Sequence, residues 1–313
     1  MGFGHVVRSR ALARAIGAPH VVALRGTAAT AGSVRAMGAT VIARSPDAMA
    51  AFRPEVVVID DPSASEADRA MRMARAIAVP VASVHDLGLA HVASDLVIDA
   101  SVIAGLRPHG VDLAGPRFTV LDPALIRLRV PQRSRRPDSV LIALGGGAHV
   151  LRYGSTLAFG ICDALPAARV VVAPGFAGGA RPVLPAGAAW LPEPRALPRA
   201  LARCAVAVVG GGVTVAEACA LATPVVAVAV VPAQRRTIQQ FARAGAVIDG
   251  GRVDAPGTAR RVAAAVARLF GAAPHVRQMT ARARGLVDGR GASRVASALT
   301  DLAVRDGRSW HAA

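Results

Sequence analysis

The chain has no lysine and no asparagine in its 313 residues. Its 37 basic side chains are therefore all arginine, set against 20 acidic ones, for a formal net charge of +17. A surplus of that size ordinarily points to nucleic acid or an anionic surface. Here the missing lysine and asparagine, beside abundant Ala, Arg, Gly, Pro and Val, mark GC-rich codon usage, so much of the charge reflects base composition. The arginines are also spread along the helices, as in Arg69, Arg72 and Arg75 or Arg260, Arg261 and Arg268. Aromatic residues make up only 3% of the chain, and none is interleaved with the arginines to stack on bases. Nucleic acid is not an expected partner. The densest basic run, QRSRRPD from Gln132 to Asp138, reads as a solvated hinge.

Cysteine is scarce too. Cys162, Cys204 and Cys219 have no metal-ligand spacing and lie in apolar stretches, so they read as small core residues of a reduced, cytoplasmic protein with no zinc site. No uninterrupted apolar run opens the chain, because Arg8, Arg10 and Arg14 break it, and a signal peptide is not expected. From Cys204 to Gln234 the only charge is Glu217, yet Gly210, Gly211, Gly212 and Pro224 divide that stretch into strand, loop, helix and strand. It is too broken to span a membrane.

The residues that are present describe a globular α/β protein. An apolar content of 53% can fill two cores and excludes a disordered chain. Val/Ile-rich runs alternate with Ala/Arg-rich helical stretches, the pattern of βα units around a parallel sheet. The runs predict strands within 20–26, 39–44, 55–61, 80–86 and 94–100, then within 138–147, 168–175, 188–193, 205–212 and 223–231. Two Rossmann-like, doubly wound domains facing a cleft are expected, 1–130 and 131–313, with the boundary in the Pro- and Arg-rich stretch Arg127 to Pro137. Helices over roughly 256–271 and 291–304 carry apolar stripes and are expected to pack as covers.

The strongest motif is VVGGGVTVAEACALATPVVAV, residues 208–228. A buried strand ends in Gly210, Gly211 and Gly212; Thr214 can cap the helix that follows, and Glu217, three residues on, completes the pattern of a capping box. Glycines let a ligand approach the backbone, and a helix N-terminus offers unpaired N–H groups and a positive dipole end to a phosphate. The alternative is a tight strand-to-helix turn in which Glu217 only serves the cap. A second glycine triplet, Gly145, Gly146 and Gly147 in LIALGGGAHV, ends another strand in the same domain, and Gln234 lies just past the strand that follows the first motif.

These residues resemble the C-terminal half of the GT-B glycosyltransferases, in which a GG(S/N)T-x-x-E element, a G-x-P and an N-Q pair hold the UDP of a sugar nucleotide. Gly211, Gly212, Thr214, Glu217, Pro224 and Gln234 match; Ala222 and Ala233 stand where Gly and Asn are usual. The opening GFGHVVRSRALA resembles the G-x-G-H-x-x-R-x-x-x-L-A signature of the PseG/SpsG family of GT-B-fold proteins. That family includes a UDP-sugar hydrolase, and its further landmarks resemble VVVIDD (56–61), SVHDLGLAHVASDLVID (83–99) and AGPRFTVLDPAL (114–125) in the same order. Pro62 stands where the family's hydrolases tend to carry Tyr.

The resemblance implies His5 as the catalytic residue, with Gly2, Gly4, Arg8 and the two glycine triplets, Thr214, Glu217 and Gln234 as substrate or UDP contacts and Glu217 on the ribose hydroxyls. A loop histidine fits the role, since histidine exchanges protons near neutral pH and can activate water. The strand-end pair Asp60–Asp61 reads as a cap or hinge contact. The expected activity is metal-independent cleavage of the anomeric C–O bond of a UDP-sugar, the small-molecule substrate, with no other cofactor. Transfer of the sugar to an acceptor and a catalytically decayed nucleotide-sugar binder are the alternatives. No apolar strand precedes the Gly2–His5 turn, so the first domain is expected to lack its first strand and the coding start to be internal.

Overall fold

A computed structural model describes residues 4–36, 38–85, 93–101, 112–147, 149–175 and 180–305. They form two compact units, one running up to Pro123 and resuming at Arg290, the other Ala124–Gly289.

The first unit runs α1 (Gly4–Ile16), β1 (Val22–Ala23), α2 (Ala28–Ala36), β2 (Val41–Ile42), α3 (Pro46–Phe52), β3 (Val57–Ile59), α4 (Ala64–Ala76), β4 (Val81–His85), β5 (Leu96–Asp99) and β6 (Leu113–Ala114). All its ladders are parallel. Ser45 starts α3 by accepting the Ala48 N–H at 3.2 Å, and Pro46 occupies the first turn, where its missing N–H costs nothing. On α4 the buried residues Ala67, Met71 and Ala74 recur at helical spacing and cover Ile59 and Val81. The sheet is in two pieces, β1-β2 and β3-β4-β5-β6. Helix α1 packs on both. Val6 joins Val22, Leu24, Val34 and Val41, while Ala11 and Leu12 join Ala82, Val84 and Ile98.

The second unit runs β7 (Arg136–Ala143), α5 (His149–Ala164), β8 (Arg169–Val172), β9 (Ala188–Trp190), α6 (Leu197–Arg203), β10 (Cys204–Gly210), α7 (Val213–Ala220), β11 (Val225–Ala229), α8 (Gln234–Arg243), β12 (Ile248–Arg252), α9 (Thr258–Gly271) and α10 (Ala273–Leu286). One parallel six-stranded sheet has the order β12-β11-β10-β7-β8-β9. Every residue of β10 and β11 is buried, which is why both read as continuous apolar runs rather than alternating ones. Cys204 and Cys219 are core residues, and burial pushes both thiols up to about 12, far from thiolate character.

Two expectations need correction. The last helix, α11 (Gly291–Arg305), belongs to the first unit, since its Ala292, Val295, Ala296 and Leu299 share a core cluster with Ala11 and Leu12 of α1. The second unit therefore ends at Gly289, not 313, and begins at Ala124 rather than 131. Nor is the Arg-rich run wholly a solvated hinge, because Arg135 is only 5% exposed. Its guanidinium donates to the carbonyls of Ala202 (2.7 Å), Cys204 (3.2 Å), Leu221 (2.8 Å) and Ala222 (3.2 Å) and to Thr223 Oγ1 (3.0 Å). It thus sits on the C-terminal ends of α6 and α7 together, where orphan carbonyls and the negative ends of both helix dipoles favour a cation.

Candidate functional site

The expected site residues fall into two clusters, one in each unit. In the first, His5 and Arg8 lie three residues apart on α1 and so face the same way. His5 is in the first turn of the helix and half-buried, rather than in an exposed glycine-rich turn. Gly4 is the first helical residue, and Gly2 lies outside the described residues, as do residues 86–92 of the 83–99 segment.

Asp60, directly after β3, meets both side chains. Its Oδ1 is 2.7 Å from His5 Nδ1, and Arg8 forks onto the same carboxylate, Nε to Oδ2 at 2.8 Å and Nη2 to Oδ1 at 2.5 Å. Arg8, expected as a substrate or UDP contact, holds Asp60. Burial alone would raise the Asp60 pKa, but the Arg8 charge and the hydrogen bonds from His5 and Arg8 outweigh it and bring it down to about 2. An ionised carboxylate only accepts, so His5 Nδ1 carries the proton and donates it to Asp60, leaving Nε2 as the basic nitrogen. Arg8 Nη2, 3.2 Å from Nδ1, is a second donor beside it rather than its partner.

Asp60 was not legible as a site residue, because its partners lie more than fifty positions away. The signal that could have found it is a carboxylate closing a Val/Ile strand, the usual place for ligand-side groups in a parallel sheet. Its neighbour Asp61 makes the turn contact expected of a strand-end acid, accepting the Ser63 N–H at 2.9 Å while pairing with Arg25 at 3.0 Å.

The depressed pKa of Asp60 has a consequence for stability. Its folded value of about 2 lies below the ordinary aspartate value of 3.8, so the ionised form stabilises the fold at neutral pH by about 2 kcal/mol. That contribution is complete above pH 4 or so and is lost as pH falls through 4 towards 2. Urea midpoints measured across this range are expected to fall less steeply for Asp60→Asn than for the native chain. Parallel acid limbs would remove the argument.

In the second unit the sheet order sets the site. From β7 the chain moves outward to β8 and β9, and from β10 outward the other way to β11 and β12. Adjacent strands whose connections diverge leave a crevice at their carboxyl ends, where open α/β sheets bind ligands. Both glycine triplets flank that point: 145–147 follows β7 and 210–212 closes β10. The glycines of the 210–212 triplet divide the work. A Cβ on Gly210 would stand 2.9 Å from the Leu144 carbonyl oxygen, and one on Gly211 would stand 2.8 Å from Ile238 Cγ1 and 2.9 Å from Gln234 Cβ. These two bring the loops together. Gly212 is exposed, and the nearest atom to a Cβ there is Gln234 Nε2 at 3.8 Å, so its backbone faces open space.

The expected capping box does not form. Gly212 is the N-cap of α7 and has no side chain to cap it with; Thr214 and Glu217 lie inside the helix, half-buried and three residues apart. The physical reason is the glycine turn, which lets the helix begin at Val213, ahead of the threonine. The N-cap residue thus offers no side chain to the first amides of α7, an arrangement that suits an anion. Gln234 acts on the loop from behind: its Oε1 accepts the N–H groups of Gly211 (3.2 Å) and Val230 (2.9 Å). Its side-chain oxygen is thus committed to the backbone, and Gly211 N–H is removed from the ligand-facing set.

Among the described residues no group of three or more His, Cys, Asp or Glu could hold a metal ion, and no helix is long and apolar enough to cross a membrane. No protein-family model matches the chain, and no curated protein matches it. Solved structures do. The spinosyn forosaminyltransferase SpnP aligns over 96% of both chains with a TM-score of 0.66 and 17% identity. MurG of Acinetobacter baumannii aligns over 95% of this chain and 96% of its own, with a TM-score of 0.65 and 15% identity. The glycosyltransferase SnogD from Streptomyces nogalater aligns over 96% and 95%, with a TM-score of 0.63 and 16% identity. The spinosyn rhamnosyltransferase SpnG is similar in a complex with thymidine diphosphate, at a TM-score of 0.53 and 18% identity over 95% of this chain and 80% of its own. The fold is α/β of the GT-B type and is shared with these structures over nearly the whole chain.

Proposed function

We propose that the chain is a glycosyltransferase that takes a sugar from a nucleoside diphosphate. The observation that carries this reading is the pair of glycine loops at the switch point of the second sheet, with the N-terminus of α7 between strand end and solvent. The diphosphate would rest on the amides of Gly212, Val213 and Thr214, which favour the charge that develops on a leaving phosphate. Glu217, one turn further on, would take the ribose hydroxyls. His5 Nε2 would remove the proton of the attacking hydroxyl, and Asp60 would steady the imidazolium that forms. Similar structures named as transferases support transfer over hydrolysis. The order of motifs resembling the PseG/SpsG family favours the second reading, in which water is the acceptor.

The test is release of UDP or TDP from a panel of UDP- and TDP-sugars, with and without an acceptor extract. Release that rises with extract supports transfer, equal release in both supports the hydrolase, and none from any donor rejects both. Because amides and a helix dipole meet the leaving group, turnover is expected to survive EDTA; loss that Mg²⁺ restores would count against the arrangement. Glu217→Ala is expected to weaken nucleoside diphosphate binding by about 1–3 kcal/mol. A melting temperature that falls while affinity per folded molecule holds would instead make Glu217 a structural residue of α7. Titration calorimetry beside a melting curve reads both.

A further inference from the structure

The chain passes between its units twice, after Pro123 and after Gly289. Within the second unit, both passages are fastened to the C-terminal end of α7. Arg129, shortly past the first passage, donates Nε to the Ala220 carbonyl at 2.9 Å and Nη2 to the same oxygen at 2.5 Å. Its Nη2 also donates to the Asp288 carbonyl at 3.2 Å. Ala220 is the last residue of α7, and Asp288 directly precedes the return passage. Gly289 adopts φ +81°, and a Cβ there would stand 2.8 Å from Ile126 Cγ1 and 3.6 Å from Ala220 Cβ. Only glycine brings the returning chain this close. In the first unit Gly291 lies against the Thr119 carbonyl with no room for a Cβ, and Arg294 donates to the Arg117 carbonyl at 2.8 Å.

A cation on the last carbonyls of a helix is favourable in itself. Arg129 does something beyond capping, because one guanidinium spans the helix end and the returning chain. Helix α7 has eight residues, a rod about 12 Å long, and its other end carries the amides of the glycine loop. We propose that Arg129 is a positioning residue for the nucleotide: it fixes α7 against the returning chain, so that a diphosphate on the N-terminal amides also steadies Asp288–Gly291. This rests on the reading of that N-terminus as the diphosphate site. The returning chain continues into α11, whose Val295 and Leu299 share a core cluster with Ala11 and Leu12 of α1, the helix that bears His5. The nucleotide site is thereby joined through the covalent chain to the helix that packs on the helix of the base.

Amide hydrogen exchange on the full chain tests this, with saturating UDP in one arm and TDP in another. In the native chain at least one nucleotide is expected to slow exchange both at 211–215 and at 288–291. Arg129→Met should keep the protection at 211–215, lose it at 288–291, and bind that nucleotide about 5-fold or more weakly. Arg129→Lys, which retains the charge but not the fork, should restore part of both effects. Protection confined to 211–215 in the native chain overturns the proposal, and this arm decides even if the methionine variant does not fold. If neither nucleotide protects 211–215, the diphosphate reading itself falls and the positioning role with it.

Discussion

Replacing His5 by alanine is expected to slow turnover of the best nucleotide-sugar donor by about 100- to 10,000-fold, the range for losing a positioned proton carrier. UDP affinity should barely move, because the loops proposed to hold the diphosphate belong to the other unit. Asp60→Asn should slow turnover as well and by a different route. An amide in place of the carboxylate no longer favours the proton on Nδ1 of His5, so the basic lone pair leaves Nε2, and the imidazolium loses its counter-charge. Arg8→Met separates orientation from charge, since it removes the fork on Asp60 while leaving the His5 to Asp60 bond available. Steady-state kinetics with calorimetric UDP titration distinguish these outcomes. Native turnover in His5→Ala, or a loss matched by lost UDP affinity, would falsify the assignment of His5 as the base.

The second large effect is on stability. Arg135→Ala is expected to destabilise the second unit by at least about 3 kcal/mol, because several buried carbonyls lose their donor together and each orphaned group costs roughly 1–3 kcal/mol. The loss is not that of a surface charge. Arg135 ties the ends of α6 and α7 to the start of β7 with one planar group, and a lysine, with a point charge and a different donor geometry, should recover only part of it. Urea denaturation followed by circular dichroism gives the difference directly. A loss below about 1 kcal/mol would mean that water or a shifted backbone satisfies those carbonyls without the guanidinium.

How far the sequence could be read depended on how local each determinant is. The strands of the second unit were visible because a parallel strand covered on both faces must be apolar throughout, as β10 and β11 are. Strand β12 was hidden, since Gly250 and Gly251 replace the side chains that mark a strand. Both glycine loops were legible as loops, but the division between Gly210 and Gly211, which pack, and Gly212, which stays open, depends on Leu144, Ile238 and Gln234. The spacing of Thr214 and Glu217 fits a capping box in any sequence; only the backbone register at Gly212 shows that the helix has already begun. Arg135 was misread because buried arginine is rare and a basic run is usually solvated. The apolar stripe of α11 was plain, yet a stripe states that a helix packs, not against which core.

That last helix bears on how the protein is made. The second unit is continuous in the chain, whereas the core of the first draws on Val295 and Leu299, which are synthesised after the whole of the second. At elongation rates of about 5–20 residues per second, α1 and its sheet wait roughly ten seconds or more for the helix that closes over them. The unit made first is therefore completed last. In the interval Ala11, Leu12 and Ile98 lack the helix that covers them, and apolar surface exposed in this way during synthesis is the kind that aggregates and that chaperones exist to shield.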